Sequence, residues 1–146
     1  MSDIIWHNKH LTLEDIIRPH DHDMIGHLGI MLTKLGPDFI EGTMPVDHRT
    51  RQPQGLLHGG ASVVLAETMG SFGAWLTVDP EHHQVVGLEV NANHVRSVRA
   101  GHVTGLASPL HRGRSTQVWE IRITDMEDKL VCISRLTVAV TPKKQG

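Results

Sequence analysis

The stretch GLLHGGASVVLAETMGS, from Gly55 to Ser71, decides the fold of this 146-residue chain. Its alanine, leucine and methionine content favours a helix, which we expect to run from about His58 to Leu76. The turn-forming pair Asp79 and Pro80 closes this helix. Nearly every helical face is apolar or small, a pattern typical of a helix buried at the centre of a domain.

Glu67 is the single formally charged side chain between Arg51 and Asp79. Burying a carboxylate without a partner is unfavourable, so such a residue normally has a counter-ion or a chemical role. The residues alone therefore leave two interpretations of Glu67, an ion pair with Arg51 or Arg96, or a carboxylate that takes part in catalysis.

The composition limits the class of protein. The length fits one domain, residues 1–146, with a flexible tail expected at 142–146. A formal net charge of -2 argues against a nucleic-acid surface, which is usually strongly basic. The single cysteine, Cys132, excludes an internal disulfide and suits a reducing compartment. With neither a signal-peptide pattern nor an apolar run of about 20 residues, we expect a cytoplasmic protein without a membrane partner.

Extended segments are predicted on both sides of the helix. A short helix capped by Thr12 and limited by Pro19 comes first, and two strands then flank the turn at 36–38. Four extended segments follow the long helix, at 84–98, 101–113, 115–125 and 130–140. This order predicts an α+β domain in which a curled antiparallel sheet wraps around one long central helix.

Twelve histidines raise the question of a metal site. The cluster PHDHDMIGH, from Pro19 to His27, has the composition of a metal site but not the ligand spacing of one. His82 and His83 follow a turn signal and are expected to face solvent. We therefore predict no metal and interpret both clusters as solvated loops.

Four segments together resemble the hotdog-fold acyl-CoA thioesterases. They are MPVDHRTRQPQGLLHGGASVVLAETMGS, VVGLEVNANHVRS, PLHRG and QVWEIRITD. The resemblance extends from Ile5 to Val140. The branch that the chain resembles contains 1,4-dihydroxy-2-naphthoyl-CoA hydrolase of menaquinone synthesis and the proofreading thioesterase of enterobactin synthesis. It implies a hotdog fold and hydrolysis of an aromatic acyl-CoA, with coenzyme A as part of the substrate and no separate cofactor.

The residues of the long helix supply the chemistry that thioester hydrolysis needs, an oxyanion stabiliser and a nucleophile or general base. Gly59 lies at the helix start, where a free N–H group and the helix dipole favour a developing negative oxygen. Glu67 supplies a carboxylate. Ser71 lies one turn later on the same face and could hold the attacking water. The resemblance implies the same roles, with Glu67 as nucleophile or base and the Gly59 N–H as oxyanion donor.

Gln52 and His58 flank the loop that enters the helix and could polarise the thioester carbonyl, a supporting role that the resemblance also implies. Each of these residues has a structural alternative. His58 could only cap the helix, Ser71 could be a packing residue, and Gln52 could belong to an ordinary loop. A His58–Ser62 base and nucleophile pair is disfavoured, because Ser62 lacks a nucleophile-elbow motif.

The coenzyme A and acyl parts of the substrate are expected at different surfaces. By resemblance, the backbone of a strand edge at Val86, Gly87 and Leu88 would bind the pantetheine arm. Arginines that could meet the phosphates are Arg96, Arg99, Arg112 and Arg114. Residues expected to line the acyl pocket are Met69, Phe72 and Trp75, with Ile25 and Leu28. Phe72 directly follows Ser71 and is expected to set the acyl size.

Three other functions are alternatives to acyl-CoA hydrolysis. The same fold serves dehydratases and isomerases of acyl-CoA, although the HGGASVVLAE segment favours hydrolysis. A proofreading thioesterase would act on an aryl or acyl carrier protein. A non-catalytic module would only bind acyl-CoA or the carrier.

Helix geometry predicts that the chain assembles with itself. Gly59 and Glu67 are eight residues apart, or roughly 12 Å along one helix. A reacting carbonyl must lie about 3 Å from both the oxyanion donor and the attacking group, which a single helix cannot provide. We therefore expect a two-fold dimer in which one chain supplies Glu67 and Ser71 and the other supplies Gln52, His58 and Gly59. The resemblance implies a dimer of dimers, a homotetramer.

Overall fold

The computed structural model describes residues 2–144 as an antiparallel sheet with one long helix and two single-turn helices. In chain order the elements are α1 (Leu13–Ile16), α2 (Met24–His27), β1 (Met31–Leu35), β2 (Ile40–Pro45), α3 (Gly59–Thr77), β3 (His83–His94), β4 (His102–Arg112), β5 (Thr116–Thr124) and β6 (Leu130–Pro142). Within residues 2–144, no helix has both the length and the apolar character needed to span a membrane.

The six strands form one sheet in the order β1-β2-β4-β5-β6-β3, and every neighbouring pair is antiparallel. Helix α3 packs against one face of this sheet and contacts β2 to β6. The predicted α+β architecture, with a curled sheet around one long helix, is therefore confirmed. The outer edges of the sheet are β1 and β3.

The hydrophobic core lies between α3 and the sheet. Trp119, Ile121 and Ile123 alternate along β5 and are fully buried, which confirms the face predicted for this strand. Leu65 and Met69 supply the facing side chains of α3 and are also fully buried. Burial of such apolar side chains is the main stabilising contribution to folding.

Two glycines opposite each other in the sheet allow the helix to approach closely. Gly42 of β2 pairs in register with Gly105 of β4. A side-chain carbon at Gly42 would lie 2.7 Å from the Met69 sulfur, and one at Gly105 would lie 3.2 Å from Leu65 Cγ. The sheet surface is therefore free of side chains where the helix presses most closely on it.

A buried indole helps to hold the N-terminal segment on the core. Trp6 is 2% exposed and stacks on Trp119, with 6.5 Å between the ring centroids. Its Nε1–H donates a hydrogen bond of 2.7 Å to the Gly36 carbonyl. The short helix α1 follows with the expected cap, since the Asp15 carboxylate accepts from the Thr12 N–H at 2.8 Å.

The structure corrects two expectations about elements. The segment from Pro19 to His27 is not only a solvated loop, because the single-turn helix α2 forms within it. The tail is shorter than predicted, since β6 runs through Pro142 and Lys143 N–H donates to the His82 carbonyl. Residues 145 and 146 of the predicted tail lie outside the described residues.

Replacing Trp6 by alanine should lower the free energy of unfolding by about 3–5 kcal/mol, because it removes a buried aromatic side chain and leaves a cavity. Leu110→Ala is the control: Leu110 is 53% exposed, so its loss should change stability by no more than about 0.5 kcal/mol. Urea unfolding of both variants measures the difference. Equal losses at the two positions would contradict this packing.

Candidate active site

One face of α3 is not covered by the sheet of the same chain. Glu67 and Trp75 are exposed on this face, with Ser71 half-buried between them. The prediction of a helix buried on nearly every face is therefore wrong for the single chain. The sheet covers only the opposite face, where Met69 and Ala66 are fully buried.

The open face of α3 forms one wall of a cavity of about 490 Å³. A second wall comes from the N-terminal segment, and Val85 of β3 adds a third side. The lining residues are Ile16, Arg18, His20, Ile25, Glu67, Thr68, Ser71, Phe72, Trp75 and Val85. Most of the lining surface is apolar, and Glu67 is the only carboxylate that the described residues contribute to it. Pockets of this size and character accommodate small organic ligands.

The Glu67 carboxylate lies against the edge strand β3. A side-chain carbon at Gly87 would be 3.2 Å from Glu67 Oε1, so the glycine leaves space for the carboxylate. Within residues 2–144, Glu67 makes no ion pair. Arg51 instead donates to the Arg99 carbonyl at 2.8 and 3.1 Å. The ion-pair interpretation of Glu67 is therefore wrong, and the carboxylate is free to meet a ligand.

The start of α3 carries two groups that can donate to an oxygen atom. His58 is the N-cap, and its Nδ1 accepts the Gly60 N–H at 2.8 Å. A ring nitrogen that accepts carries no proton, so the neutral imidazole has its N–H at Nε2. The Gly59 N–H has no acceptor among residues 2–144. The cap interpretation of His58 is thus correct, and it still leaves a donor on the exposed side of the ring.

His94, at the end of β3, was not foreseen from the sequence. A side-chain carbon at Gly59 would lie 2.9 Å from Nε2 of His94, so this imidazole packs directly against the helix start. Any larger residue at position 59 would displace the His94 ring. The close approach explains why the first residue of α3 is glycine.

Gln52 lies in the loop before α3, and its side chain is occupied by that loop. The amide oxygen accepts from the Gln54 N–H at 2.5 Å and from the Leu56 N–H at 3.3 Å. Its backbone N–H also donates to the Leu56 carbonyl. In the single chain Gln52 therefore shapes the turn that leads to His58.

The expected catalytic residues form two separate groups. Glu67 and Ser71 lie in the cavity, whereas Gln52, His58 and Gly59 do not line it. The separation along α3 is roughly 12 Å for the eight residues from Gly59 to Glu67. Ser62, the alternative nucleophile, is 1% exposed and therefore inaccessible to a substrate.

Two of the residues expected in the acyl pocket belong to the core instead. Met69 is fully buried and faces Gly42 of the sheet, because it lies on the opposite side of α3 from Ser71. Leu28 is 8% exposed and also belongs to the core. The other expected residues, Ile25, Phe72 and Trp75, do line the cavity.

The segment expected to bind pantetheine lies on the free edge of β3. Val86 and Leu88 are 51% and 60% exposed. The pairing register with β6 shifts between Gly87 and Glu89, which places Leu88 in a bulge. The backbone of this edge is therefore accessible beside Glu67.

The arginines expected near the phosphates lie at opposite ends of α3. Arg96 follows β3, at the end of the sheet where α3 begins. Arg112 pairs in register with Gln117, whose amide donates to Thr77 at the other end of the helix. Arg114 follows Arg112 in the turn after β4. Arg99, the fourth expected arginine, follows Arg96 by three residues, and its carbonyl accepts from Arg51 in the loop before α3. Within one chain, Arg96 and Arg99 therefore cannot form one phosphate site with Arg112 and Arg114.

Possible metal ligands in the described part of the chain are limited to Asp79, Glu81 and His82. Hydrogen bonds within this surface turn already occupy Asp79, which contacts His82 Nδ1 at 2.7 Å and accepts the Glu81 N–H at 3.0 Å. The hydrogen bond to Asp79 raises the pKa of His82 above its ordinary value. The group therefore stabilises the turn after α3, and none of its members lines the cavity of Glu67.

Arg18, His20 and Val85 line the cavity but were missed in the sequence. Their contact with α3 depends on chain segments distant in sequence, so no local pattern indicates it. In the structure, His20 Nδ1 contacts Asp23 Oδ2 at 2.7 Å, within the sequence PHDHD. This hydrogen bond lowers the pKa of Asp23 below its ordinary value.

Comparison with known proteins identifies a family and close relatives. The model of the thioesterase superfamily matches residues 54–132. The chain is 53% identical to 1,4-dihydroxy-2-naphthoyl-CoA hydrolase of Escherichia coli, covering 94% of this chain and 99% of that protein. It is 50% identical to the proofreading thioesterase EntH of Cronobacter sakazakii, covering 94% and 98%. A solved thioesterase from Haemophilus influenzae superposes with a TM-score of 0.88 at 50% identity, covering 94% and 95%.

His58→Ala should lower the free energy of unfolding by about 1 kcal/mol, because the variant loses the cap of α3. His58→Asn should restore most of this loss, since asparagine is a preferred cap. Urea unfolding measures both, with His48→Ala as control because its side chain is 87% exposed. An asparagine variant no more stable than the alanine variant would show that the cap contributes nothing.

Proposed function

The chain belongs to the thioesterase superfamily and is a hotdog-fold thioester hydrolase, and from this premise we propose that it hydrolyses aromatic acyl-CoA thioesters. One such substrate would be 1,4-dihydroxy-2-naphthoyl-CoA, the compound named for the Escherichia coli relative. Membership in this superfamily leaves the dehydratase and isomerase alternatives without support. The products would be the free acid and coenzyme A.

The observation that carries the proposal is a single carboxylate in a cavity whose lining also includes the aromatic side chains of Phe72 and Trp75. Glu67 lies at one end of this lining, and Phe72 and Trp75 extend it along the same helix. A flat aromatic acyl group would bury its rings against these side chains and bring its thioester to the carboxylate. Phe72 then limits the size of the acyl group.

The chemistry follows from the groups around the thioester carbonyl. Glu67 attacks the carbonyl carbon directly, or it removes a proton from a water held by Ser71. In both routes the carbonyl oxygen becomes negative, and the Gly59 N–H and the His58 Nε2–H would donate to it. Collapse expels the coenzyme A thiolate. In the direct route, water then hydrolyses the anhydride of Glu67.

A shared site would bring these two groups together. Among residues 2–144, strand β3 pairs only with β6, and it presents the exposed apolar side chains of Val86 and Leu88 on its outer edge. Long unpaired edges of this kind readily pair with another strand. A second copy paired there lies beside Glu67, because Gly87 of the same strand contacts this carboxylate. We propose a two-fold dimer in which the start of the partner's α3 completes each site.

A carrier-bound aryl group is the second candidate substrate, because one relative is named as a proofreading thioesterase. Coenzyme A and a carrier protein present the same pantetheine arm to the edge of β3. They differ at the surface, where coenzyme A offers phosphates to arginines such as Arg96. Parallel assays with the same acyl group on coenzyme A and on a carrier protein separate the two.

The wild-type protein should release free thiol from aryl-CoA thioesters faster than from fatty acyl-CoA thioesters, and Glu67→Ala should lower kcat by at least about a hundredfold. Glu67→Asp should also be impaired, since a missing methylene misplaces the carboxylate, and such misplacement costs about a hundredfold. A thiol reagent follows the release. Glu67→Gln removes the negative charge and keeps the shape of the side chain, so it tests whether the charge is needed.

Glu127→Gln is the matched control, because its carboxylate is 74% exposed in the turn between β5 and β6. This variant should keep wild-type rates. Near-normal turnover by Glu67→Gln or Glu67→Ala would contradict the mechanism. Absence of turnover by the wild-type protein on the whole panel would favour a binding module instead.

Mixing two inactive variants should restore activity if the sites are shared. Glu67→Ala and His58→Ala chains are unfolded and refolded together, so that random pairing makes half of the dimers mixed. Each mixed dimer then has one intact site and one doubly damaged site. Recovery to about a quarter of wild-type activity is expected, relative to refolded wild-type protein.

The Glu67→Ala and His58→Ala chains carry different tags, so native mass spectrometry detects the mixed dimers. If each chain carries its own complete site, every site in the mixture still contains one of the two substitutions. Recovery near zero in the presence of mixed dimers would therefore contradict the shared site.

A further inference from the structure

His20 is the one imidazole in the wall of the cavity that holds Glu67, as far as the described residues show. Its ring meets Phe72 edge to face, with 6.3 Å between the centroids and 77° between the planes. The side chain is only 24% exposed. The N-terminal segment therefore contributes one imidazole to the cavity wall, in edge contact with an aromatic ring of α3.

Asp23 holds this imidazole in a fixed orientation. Asp23 Oδ2 lies 2.7 Å from His20 Nδ1, and Oδ1 accepts the Gly26 N–H at 3.0 Å. The hydrogen bond to His20 lowers the pKa of Asp23, so it is a carboxylate at neutral pH and Nδ1 carries the donated proton. In the neutral ring, Nε2 is then left as a hydrogen-bond acceptor without a partner among residues 2–144.

Glu67 and the Phe72–His20 pair line the same cavity. Phe72, which His20 contacts, is five residues from Glu67, or about 7.5 Å along α3. The thioester carbonyl of a bound substrate lies at Glu67, and the aromatic ring then extends toward Phe72. A group on the far part of the ring would reach His20.

We propose that His20 is a specificity-determining residue that accepts a hydrogen bond from a ring hydroxyl of the acyl group. Asp23 acts as a positioning residue, because it orients the imidazole. This inference rests on the proposed function, because it assigns the acyl group to the same cavity. Ile25 and Phe72 supply apolar contact, which does not distinguish a hydroxylated ring from a plain one.

The experiment compares substrates that differ by one hydroxyl group. Benzoyl-CoA and its 2-, 3- and 4-hydroxy derivatives are hydrolysed by wild type, His20→Ala and His20→Leu. The leucine variant keeps apolar packing against Phe72 if the alanine variant folds poorly. His22→Ala is the matched control, because His22 belongs to the same segment but does not line this cavity.

We expect wild type to prefer at least one hydroxylated substrate over benzoyl-CoA by about fivefold to tenfold in kcat/KM, the value of one neutral hydrogen bond. Both His20 variants should lose this preference, so that their kcat/KM on the hydroxylated substrate falls to the level of their own kcat/KM on benzoyl-CoA. His22→Ala should keep the preference. Equal losses on all substrates, or no hydroxyl preference in wild type, would overturn the inference while leaving the hydrolase function intact.

A binding measurement separates the two proposals. Phenacyl-CoA and hydroxyphenacyl-CoA are thioethers that cannot be hydrolysed, and titration calorimetry gives their Kd for wild type and for His20→Leu. Tighter binding of the hydroxylated analogue, lost in the variant, supports the role of His20 even if no thioester is turned over. Absence of both turnover and hydroxyl-dependent binding would overturn both proposals.

Discussion

One constraint governs this molecule: a single helix can bury only one of its faces against a single sheet. Leu65 and Met69 meet the side-chain-free surface at Gly42 and Gly105, and this close contact fixes α3 on the sheet. The opposite face must then be covered by something else. In one chain the N-terminal segment covers it only partly, and the cavity with Glu67 is the space that remains.

Much of the fold follows from local sequence patterns. The helix signals from His58 to Pro80 predict α3 within a residue or two, and the alternation at Trp119, Ile121 and Ile123 predicts the inner face of β5. The cap at Thr12 is also correct. These features depend on neighbours a few residues away, which a sequence displays directly.

The walls of the site could not be predicted in the same way. Met69 and Phe72 are both large apolar residues of one helix, and their positions around its axis decide that the first joins the core and the second lines the cavity. Apolar patterning cannot separate these roles, because a binding surface and a core use the same residue types. His20 meets Phe72 across more than fifty residues, so its role depends on the tertiary fold alone. The two groups of expected catalytic residues could be named from the motif, and helix geometry alone already separates Gly59 from Glu67 by roughly 12 Å along α3.

The placement of the three tryptophans gives this protein an intrinsic optical reporter. Trp6 and Trp119 stack inside the core, whereas Trp75 lies on the cavity wall and is 42% exposed. The chain contains no tyrosine, so its ultraviolet emission comes from tryptophan alone. A water-soluble quencher such as iodide reaches Trp75 and does not reach the stacked pair. Quenching of Trp75 therefore reports whether the cavity is occupied, and quenching of Trp6 and Trp119 reports unfolding of the core. Neither measurement needs an added label.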